Sequence, residues 1–88
     1  MRNADDMGMP PADFAAKMAA STKAKQVRIW YTNHRGEHAE RVIYPREMWF
    51  GTTVWHPAPD QWFVVAHDEE KNATRYFAMK DISGWMPA

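Results

Sequence analysis

Short runs of strand-forming residues, separated by turn-forming residues, fill the chain from residue 25 onward and most strongly limit its possible folds. The run "QVRIWYTN" alternates in polarity, so Val27, Ile29 and Tyr31 are expected to share one face of a strand. "HRGE" follows, with Gly36 at a position typical of a hairpin turn. The pattern indicates antiparallel strands joined by tight turns.

Five strands are predicted, at residues 26–33, 38–44, 47–54, 61–68 and 74–82. Pro45 is expected to end the second strand, and Pro57 and Pro59 to keep residues 55–60 out of the sheet. The last residues, "SGWMPA", are expected to form one short turn. The predicted fold is mainly β, either a small SH3-like five-stranded barrel or a strongly bent antiparallel sheet.

The N-terminal part of the sequence has a different character. Residues 1–9 show no periodicity and are expected to be disordered. Residues 10–21, "PPADFAAKMAAS", predict a short helix with Phe14 and Met18 on one face. We therefore divide the chain into residues 1–24, a tail with a short helix, and residues 25–88, a β domain. Periodicity does not decide whether the helix packs on this domain or on a neighbouring copy.

Length and charge narrow the functional classes. The chain has 88 residues, 11 basic and 11 acidic, and therefore no net charge, which disfavours tight non-specific nucleic-acid binding. Any anion site must then be local and built from a few arginines. No cysteine is present, and no apolar stretch is typical of a signal peptide or a transmembrane helix. These features predict a cytoplasmic protein that does not associate with a membrane.

Residues suited to catalysis are sparse. Ser21 and Ser83 lack the surroundings of a nucleophile elbow, and the four glycines form no phosphate loop. Glu47 and Asp81 lie beside apolar residues, but as polar positions of alternating strands they are expected to have no special role. We predict that the protein is not an enzyme and needs no cofactor.

Because the chain has no cysteine, a transition-metal site would have to depend on its histidines. The four histidines are His34, His38, His56 and His67. His34 and His38 have helical spacing, but Gly36 places a hairpin turn between them. Three of the four would have to converge to bind a metal, so surface or loop positions are predicted instead.

Arginines and aromatic residues alternate along the predicted strands. Arg28, Arg41, Arg46 and Arg75 lie on or beside strands that also carry Trp30, Tyr44, Trp49 or Tyr76. A nucleic-acid-binding sheet combines stacking aromatics with basic side chains in this way. The alternative is that the aromatics form the core of a small domain while the arginines point outward.

Two consecutive motifs resemble the hallmark of WYL domains, which are named for a Trp-Tyr-Leu run. "WFVVAHD" supplies the aromatic trio at residues 62–64, followed by Ala66 and Asp68. "RYFAMKDI" supplies the following Arg-x-Phe-x-Leu-x-x-Ile motif, beginning at Arg75. Upstream, "IWYTNHRGE" resembles the family's opening strand and hairpin, and "RVIYPREM" resembles its Arg-x-Val-x-Pro-x-x-Leu run. The similarity extends in order over residues 25–82.

The sequence also departs from the family pattern. Phe63 and Val64 replace the Tyr and Leu of the trio, and the loop "WHPAPDQW" is not typical of WYL domains. Only about 24 residues precede the β domain, which is too few for the helix-turn-helix that usually accompanies it. The chain therefore resembles a short, stand-alone WYL-like protein of bacterial or phage type.

The resemblance implies a non-enzymatic, ligand-sensing role with an SH3-like barrel. WYL domains are thought to bind anionic ligands, nucleotides or single-stranded nucleic acid among them, and to regulate a partner. The candidate ligand-binding residues carried over by position are Tyr31, Arg41, Trp62, Phe63 and Arg75.

Two questions remain open about these candidates. Trp62 and Phe63 are neighbours in a strand and point to opposite faces, so at most one of them lines the site. Arg75 either binds the ligand or forms a salt bridge to Asp68 or Glu69 across the turn.

A second function class uses the loop at residues 55–62. Trp55, Trp62 and two prolines lie in or beside this loop, and exposed aromatic residues are typical anchors of protein interfaces. The alternative prediction is therefore a protein–protein interaction module, with another protein or a second copy of this chain as the partner.

Overall fold

The computed structural model describes residues 11–20 and 25–88, which form one α-helix and five β-strands. A single turn of 3-10 helix, Met79–Asp81, connects the last two strands. The elements are α1 (Ala12–Ala20), β1 (Val27–Thr32), β2 (His38–Gly51), β3 (Gln61–Asp68), β4 (Ala73–Ala78) and β5 (Ile82–Pro87). The predicted disorder of residues 1–9 lies outside the described residues.

The strands form one antiparallel sheet in the order β4-β3-β2-β1-β5. The prediction of a mainly β chain with five antiparallel strands and one short helix is confirmed. Among the described strands, β4 and β5 each pair on one side only, so no hydrogen-bonded ladder closes the sheet.

Pro45 does not end a strand, and that prediction was wrong. The second and third predicted strands are one 14-residue strand, β2, in which Pro45 is paired with Ala66 of β3. The register with β3 shifts between Pro45 and Glu47. Such an irregularity accommodates a residue that has no N–H for the ladder, which explains why the strand continues.

The end of the chain also differs from the prediction. The predicted fifth strand ends at Ala78, and residues 82–87 form a strand instead of a short turn. β5 pairs with β1, on the side opposite to β2. Local composition gave no indication of this strand, because its hydrogen-bond partner lies far away in the sequence.

The main core lies on one face of the sheet. Val27, Ile29 and Tyr31 of β1 are all buried, which confirms that they share one face. Phe14 of α1 is also buried, and its ring meets the Trp85 ring edge-on at 5.9 Å between centroids. The helix therefore packs on the sheet of its own chain.

Tyr31 connects β1, which lies inside the sheet, to β4 at one edge of the sheet. The backbone N–H of Ala78, at the end of β4, donates to the Tyr31 hydroxyl at 3.4 Å. The Tyr31 and Phe77 rings pack edge-to-face at 4.9 Å. Burial raises the pKa of the Tyr31 phenol, because it disfavours the charged phenolate. One side chain thus links β1 to β4.

This contact predicts the effect of Tyr31→Phe. The substitution keeps the buried ring but leaves the Ala78 N–H without its acceptor, so the free energy of unfolding should fall by about 1–2 kcal/mol. Urea denaturation should show a lower midpoint with an unchanged slope. Tyr76→Phe is the matched control, because Tyr76 is 44% exposed. Equal midpoints for both variants would contradict a structural role of the Tyr31 hydroxyl.

Candidate ligand-binding site

Asp68, the last residue of β3, is a fully buried carboxylate. Its Oδ1 accepts the backbone N–H of Glu70 at 3.0 Å and that of Lys71 at 3.4 Å. These bonds shape the turn between β3 and β4, where Asn72 takes a positive φ of 51°. Asp68 thus caps the turn that follows its own strand.

Two arginines approach the other oxygen of this carboxylate. Arg41 Nε and Arg75 Nη1 each lie 3.9 Å from Asp68 Oδ2. The register explains this convergence, since Asp68 pairs with Ile43 and with Ala73, each two residues from one of the arginines on the same strand face. Among the described residues, no donor forms a hydrogen bond to Oδ2.

The two arginines differ in their freedom. The Arg41 side chain is 20% exposed, and its Nη1 donates to Glu70 at 2.8 Å. The Arg75 side chain is 42% exposed and makes no hydrogen bond within the described part of the chain. At 3.9 Å its contact with Asp68 is purely electrostatic, so all the N–H donors of its guanidinium remain available.

Arg75 and Tyr31 line a cavity of about 320 Å³ beside the outer edge of β4, which we call the edge cleft. The β1–β2 turn, the loop after β2 and β4 form its walls. The lining residues are Tyr31, Asn33, His34, Thr53, Val54, Trp55, His56, Thr74, Arg75 and Tyr76.

The backbone of β4 adds polar groups to the edge cleft. The N–H of Ala78 points toward Tyr31 and away from β3. Because backbone groups alternate in direction along a strand, the N–H and C=O of Thr74 and Tyr76 point the same way. No described strand pairs with that side of β4. The cleft therefore combines a cationic side chain with unpaired backbone donors and acceptors.

Two aromatic rings at the edge cleft stack on each other. His34 and Trp55 lie 4.6 Å apart, with an angle of 19° between their ring planes. Trp55 is 63% exposed. The sequence placed Trp55 at a possible protein interface and His34 in a hairpin turn, and no periodicity linked the two. The loop after β2 and the β1–β2 turn line the same cleft, and the two rings meet there.

Comparison with known proteins identifies a family and a protein of similar fold. The model of the WYL domain family matches residues 14–87. The chain belongs to the WYL domain family. Its structure is similar to that of proteasome accessory factor B/C (PafBC) of Arthrobacter aurescens, with a TM-score of 0.63 and 23% sequence identity over 86% of this chain. The match covers 11% of the PafBC chain, and no curated protein matches. The resemblance inferred from the sequence motifs is thereby confirmed.

The WYL domain brings together some of the predicted ligand-binding residues and separates others. Arg41 and Arg75 meet at Asp68, and Tyr31 shares the edge cleft with Arg75. Trp62 packs partly buried against the main core and lines a different cavity, and Phe63 is fully buried on the other face of β3. Trp62 and Phe63 therefore point to opposite faces of β3, and neither lines the edge cleft.

The buried Phe63 ring packs against residues that line the edge cleft. Its ring lies 6.3 Å from that of Tyr76 and 5.5 Å from that of His56, two residues that line the edge cleft. The Trp49 ring completes this second aromatic cluster at 5.7 Å from Phe63. Phe63 thus fixes the position of residues that line the cleft.

His56 is a largely buried base in the wall of the cleft, with a side chain that is 11% exposed. Burial lowers the pKa of its imidazole. Asp81, 3.8 Å away, opposes this shift, while Lys80 and His34 add to it. The imidazole is therefore neutral at pH 7.

Within residues 11–20 and 25–88, no three His, Asp or Glu side chains lie close enough together to bind a metal ion. The described helix, with nine residues, is too short to cross a bilayer.

The lowered pKa of His56 predicts a pH-dependent stability. The unfolded chain, with the ordinary histidine pKa of 6.5, binds the proton more readily than the folded chain does. This contribution to the free energy of unfolding is complete above pH 6.5 and decreases as the pH falls from there toward the folded pKa.

Urea denaturation at pH 7.5 and pH 5.5 tests this expectation. The wild type should lose more stability between the two pH values than His56→Gln does. His38→Gln is the control, because His38 is an exposed histidine on β2. If His56→Gln and the wild type lost the same amount, the assignment to His56 would be wrong.

Proposed function

We propose that this WYL domain is a non-enzymatic, ligand-sensing module that binds a phosphate-bearing ligand, a nucleotide or single-stranded nucleic acid, in the edge cleft and regulates a partner. The proposal rests on the exposure of Arg75 and on the hydrogen-bond donors that its side chain leaves unused. Its guanidinium is 42% exposed in the cleft wall and lies near a buried carboxylate without a hydrogen bond to it.

The chemistry of Arg75 suits a phosphate. A guanidinium is planar and can donate two parallel hydrogen bonds to phosphate oxygens. Asp68 holds the side chain near the cleft by charge alone, so a ligand does not have to break a hydrogen bond in order to bind. Arg41 adds positive charge behind Arg75, although its bond to Glu70 gives it the secondary role.

The other three predicted residues, Tyr31, Phe63 and Trp62, contribute to the proposed site less directly than Arg75 does. Tyr31 forms part of the cleft wall through its ring, since its hydroxyl already accepts the Ala78 N–H. Phe63 acts indirectly by supporting Tyr76 and His56, and Trp62 acts through the main core.

Domain boundaries, a cellular location and a type of source organism are also part of the proposal. We take residues 25–88 as the binding domain, with an SH3-like bend of the sheet, and residues 1–24 as an N-terminal extension. A cytoplasmic location would give access to nucleotides and nucleic acids. A bacterial or phage source is an expectation from the family resemblance.

A second candidate function rests on a separate observation. Val54 and Trp55 are 82% and 63% exposed, side by side in the loop after β2. Exposed aromatic residues of this kind are typical anchors of protein interfaces. Light scattering over a range of protein concentrations tests the homo-oligomer form of this candidate: mass that rises with concentration in the wild type but not in Trp55→Ala would favour it.

The phosphate-binding proposal predicts the effect of Arg75→Ala. Fluorescence anisotropy with labelled single-stranded DNA and RNA oligomers should show binding that weakens as salt is raised. Arg75→Ala should bind about 10-fold or more weakly and with a salt dependence reduced by about one phosphate contact. Arg41→Ala should have a smaller effect.

Arg46→Ala is the matched control, because it removes the same charge from an exposed position outside the edge cleft. Its affinity should stay within about 2-fold of the wild type, as expected for a distant surface charge. A folded Arg75→Ala protein that binds as tightly as the wild type would refute the role of Arg75. Absence of binding even at low salt would exclude oligonucleotides as the ligand.

A further inference from the structure

The stacked pair of His34 and Trp55 has a geometry suited to ligand binding. One face of the Trp55 indole lies against the His34 ring, with 4.6 Å between centroids. The side chain is nevertheless 63% exposed, so much of its remaining surface meets solvent. A large apolar ring held in this way is a ready stacking surface.

Each ring is carried by a turn with its own hydrogen bonds. Thr53 and His56 exchange backbone bonds at 3.0 and 3.2 Å on either side of Trp55. On the His34 side, the Asn33 side-chain oxygen accepts the N–H groups of Arg35 and Glu37, both at 2.9 Å. The two rings are therefore presented by preformed turns, which reduces the ordering cost of binding.

The edge cleft places this stacking surface together with two other kinds of group. Arg75 offers the planar N–H donors of its guanidinium, and the side of β4 with which no described strand pairs offers the backbone donors and acceptors of Thr74 and Tyr76. A nucleotide has three matching parts: a flat base that stacks, a base edge that forms hydrogen bonds, and a phosphate. The cavity of about 320 Å³ is at the small end of ligand sites, which suits one nucleotide.

We propose that Trp55 is the base-stacking residue of the edge cleft, so that the ligand recognised there is a single nucleotide unit with its base on the indole and its phosphate on Arg75. His34 is a positioning residue that supports the opposite face of the indole. This inference rests on the function proposed above, because it takes Arg75 as the phosphate contact.

The test compares two ligands that differ only in the base. Isothermal titration with AMP and with ribose 5-phosphate measures the contribution of stacking, since both compounds carry the same phosphate. The wild type should bind AMP about 5- to 100-fold more tightly than ribose 5-phosphate, the range expected for stacking of one base on an aromatic side chain.

The variants separate the roles of the residues. Trp55→Ala should bind AMP only as tightly as ribose 5-phosphate, while its affinity for ribose 5-phosphate stays that of the wild type. Trp55→Phe should restore part of the preference for AMP, and His34→Ala should lower that preference by less than Trp55→Ala does. Arg75→Ala should weaken the binding of both ligands. Met86→Ala is the matched control: it shortens an exposed apolar side chain on β5 that does not line the edge cleft, and it should behave as the wild type.

The outcomes distinguish this inference from the function on which it rests. If the wild type binds both ligands equally, or if a folded Trp55→Ala protein keeps the preference for AMP, the stacking role is refuted while the anion site stands. If the wild type binds neither ligand, the nucleotide site itself is refuted and the stacking role with it. Circular dichroism of each variant checks that it is folded, which is expected for Trp55→Ala because the side chain is mostly exposed.

Discussion

A buried negative charge organises this end of the sheet. Removing the Asp68 carboxylate from water is costly unless the protein surrounds it with donors and positive charge. Two backbone N–H groups of the following turn bind one of its oxygens, and the guanidiniums of Arg41 and Arg75 lie near the other. The carboxylate that stabilises the turn therefore also lies beside both arginines, which the strand register brings to it. Since neither arginine is hydrogen-bonded to Asp68, this arrangement positions Arg75 without using its donors.

The edge cleft exists because the ladder does not close. Among the described strands β4 pairs on one side only, and an unpaired edge attracts unwanted pairing unless something covers it. Here Tyr31 connects β1 to the end of β4, and the loop after β2 reaches the β1–β2 turn, where Trp55 stacks on His34. The edge cleft lies between this loop, the β1–β2 turn and β4. The same loop thus lies near β4 and forms part of the wall of the cleft.

The hallmark trio of the WYL family lies in the interior of the protein and does not line the edge cleft. Of the hallmark trio, Phe63 and Val64 are fully buried on opposite faces of β3, and Trp62 packs against the core. These residues allow a small chain to have apolar packing on both sides of one strand. The features that we assign to recognition lie elsewhere, at Arg75 and in the proline-containing loop. With no net charge on the chain, an anion site has to depend on such local placement.

The sequence by itself determined what local patterns can encode: the shared face of Val27, Ile29 and Tyr31, the hairpin turn, the short helix, and the order of motifs that identifies the family. Only the tertiary structure decided that β2 continues through its proline, that the last residues form a strand, and that Arg75 meets Asp68 rather than Glu69. It alone placed Trp55 against a histidine from a distant turn. The physical reason is that strand register and loop path depend on partners remote in the sequence, and no periodicity within one segment records which partner will be chosen.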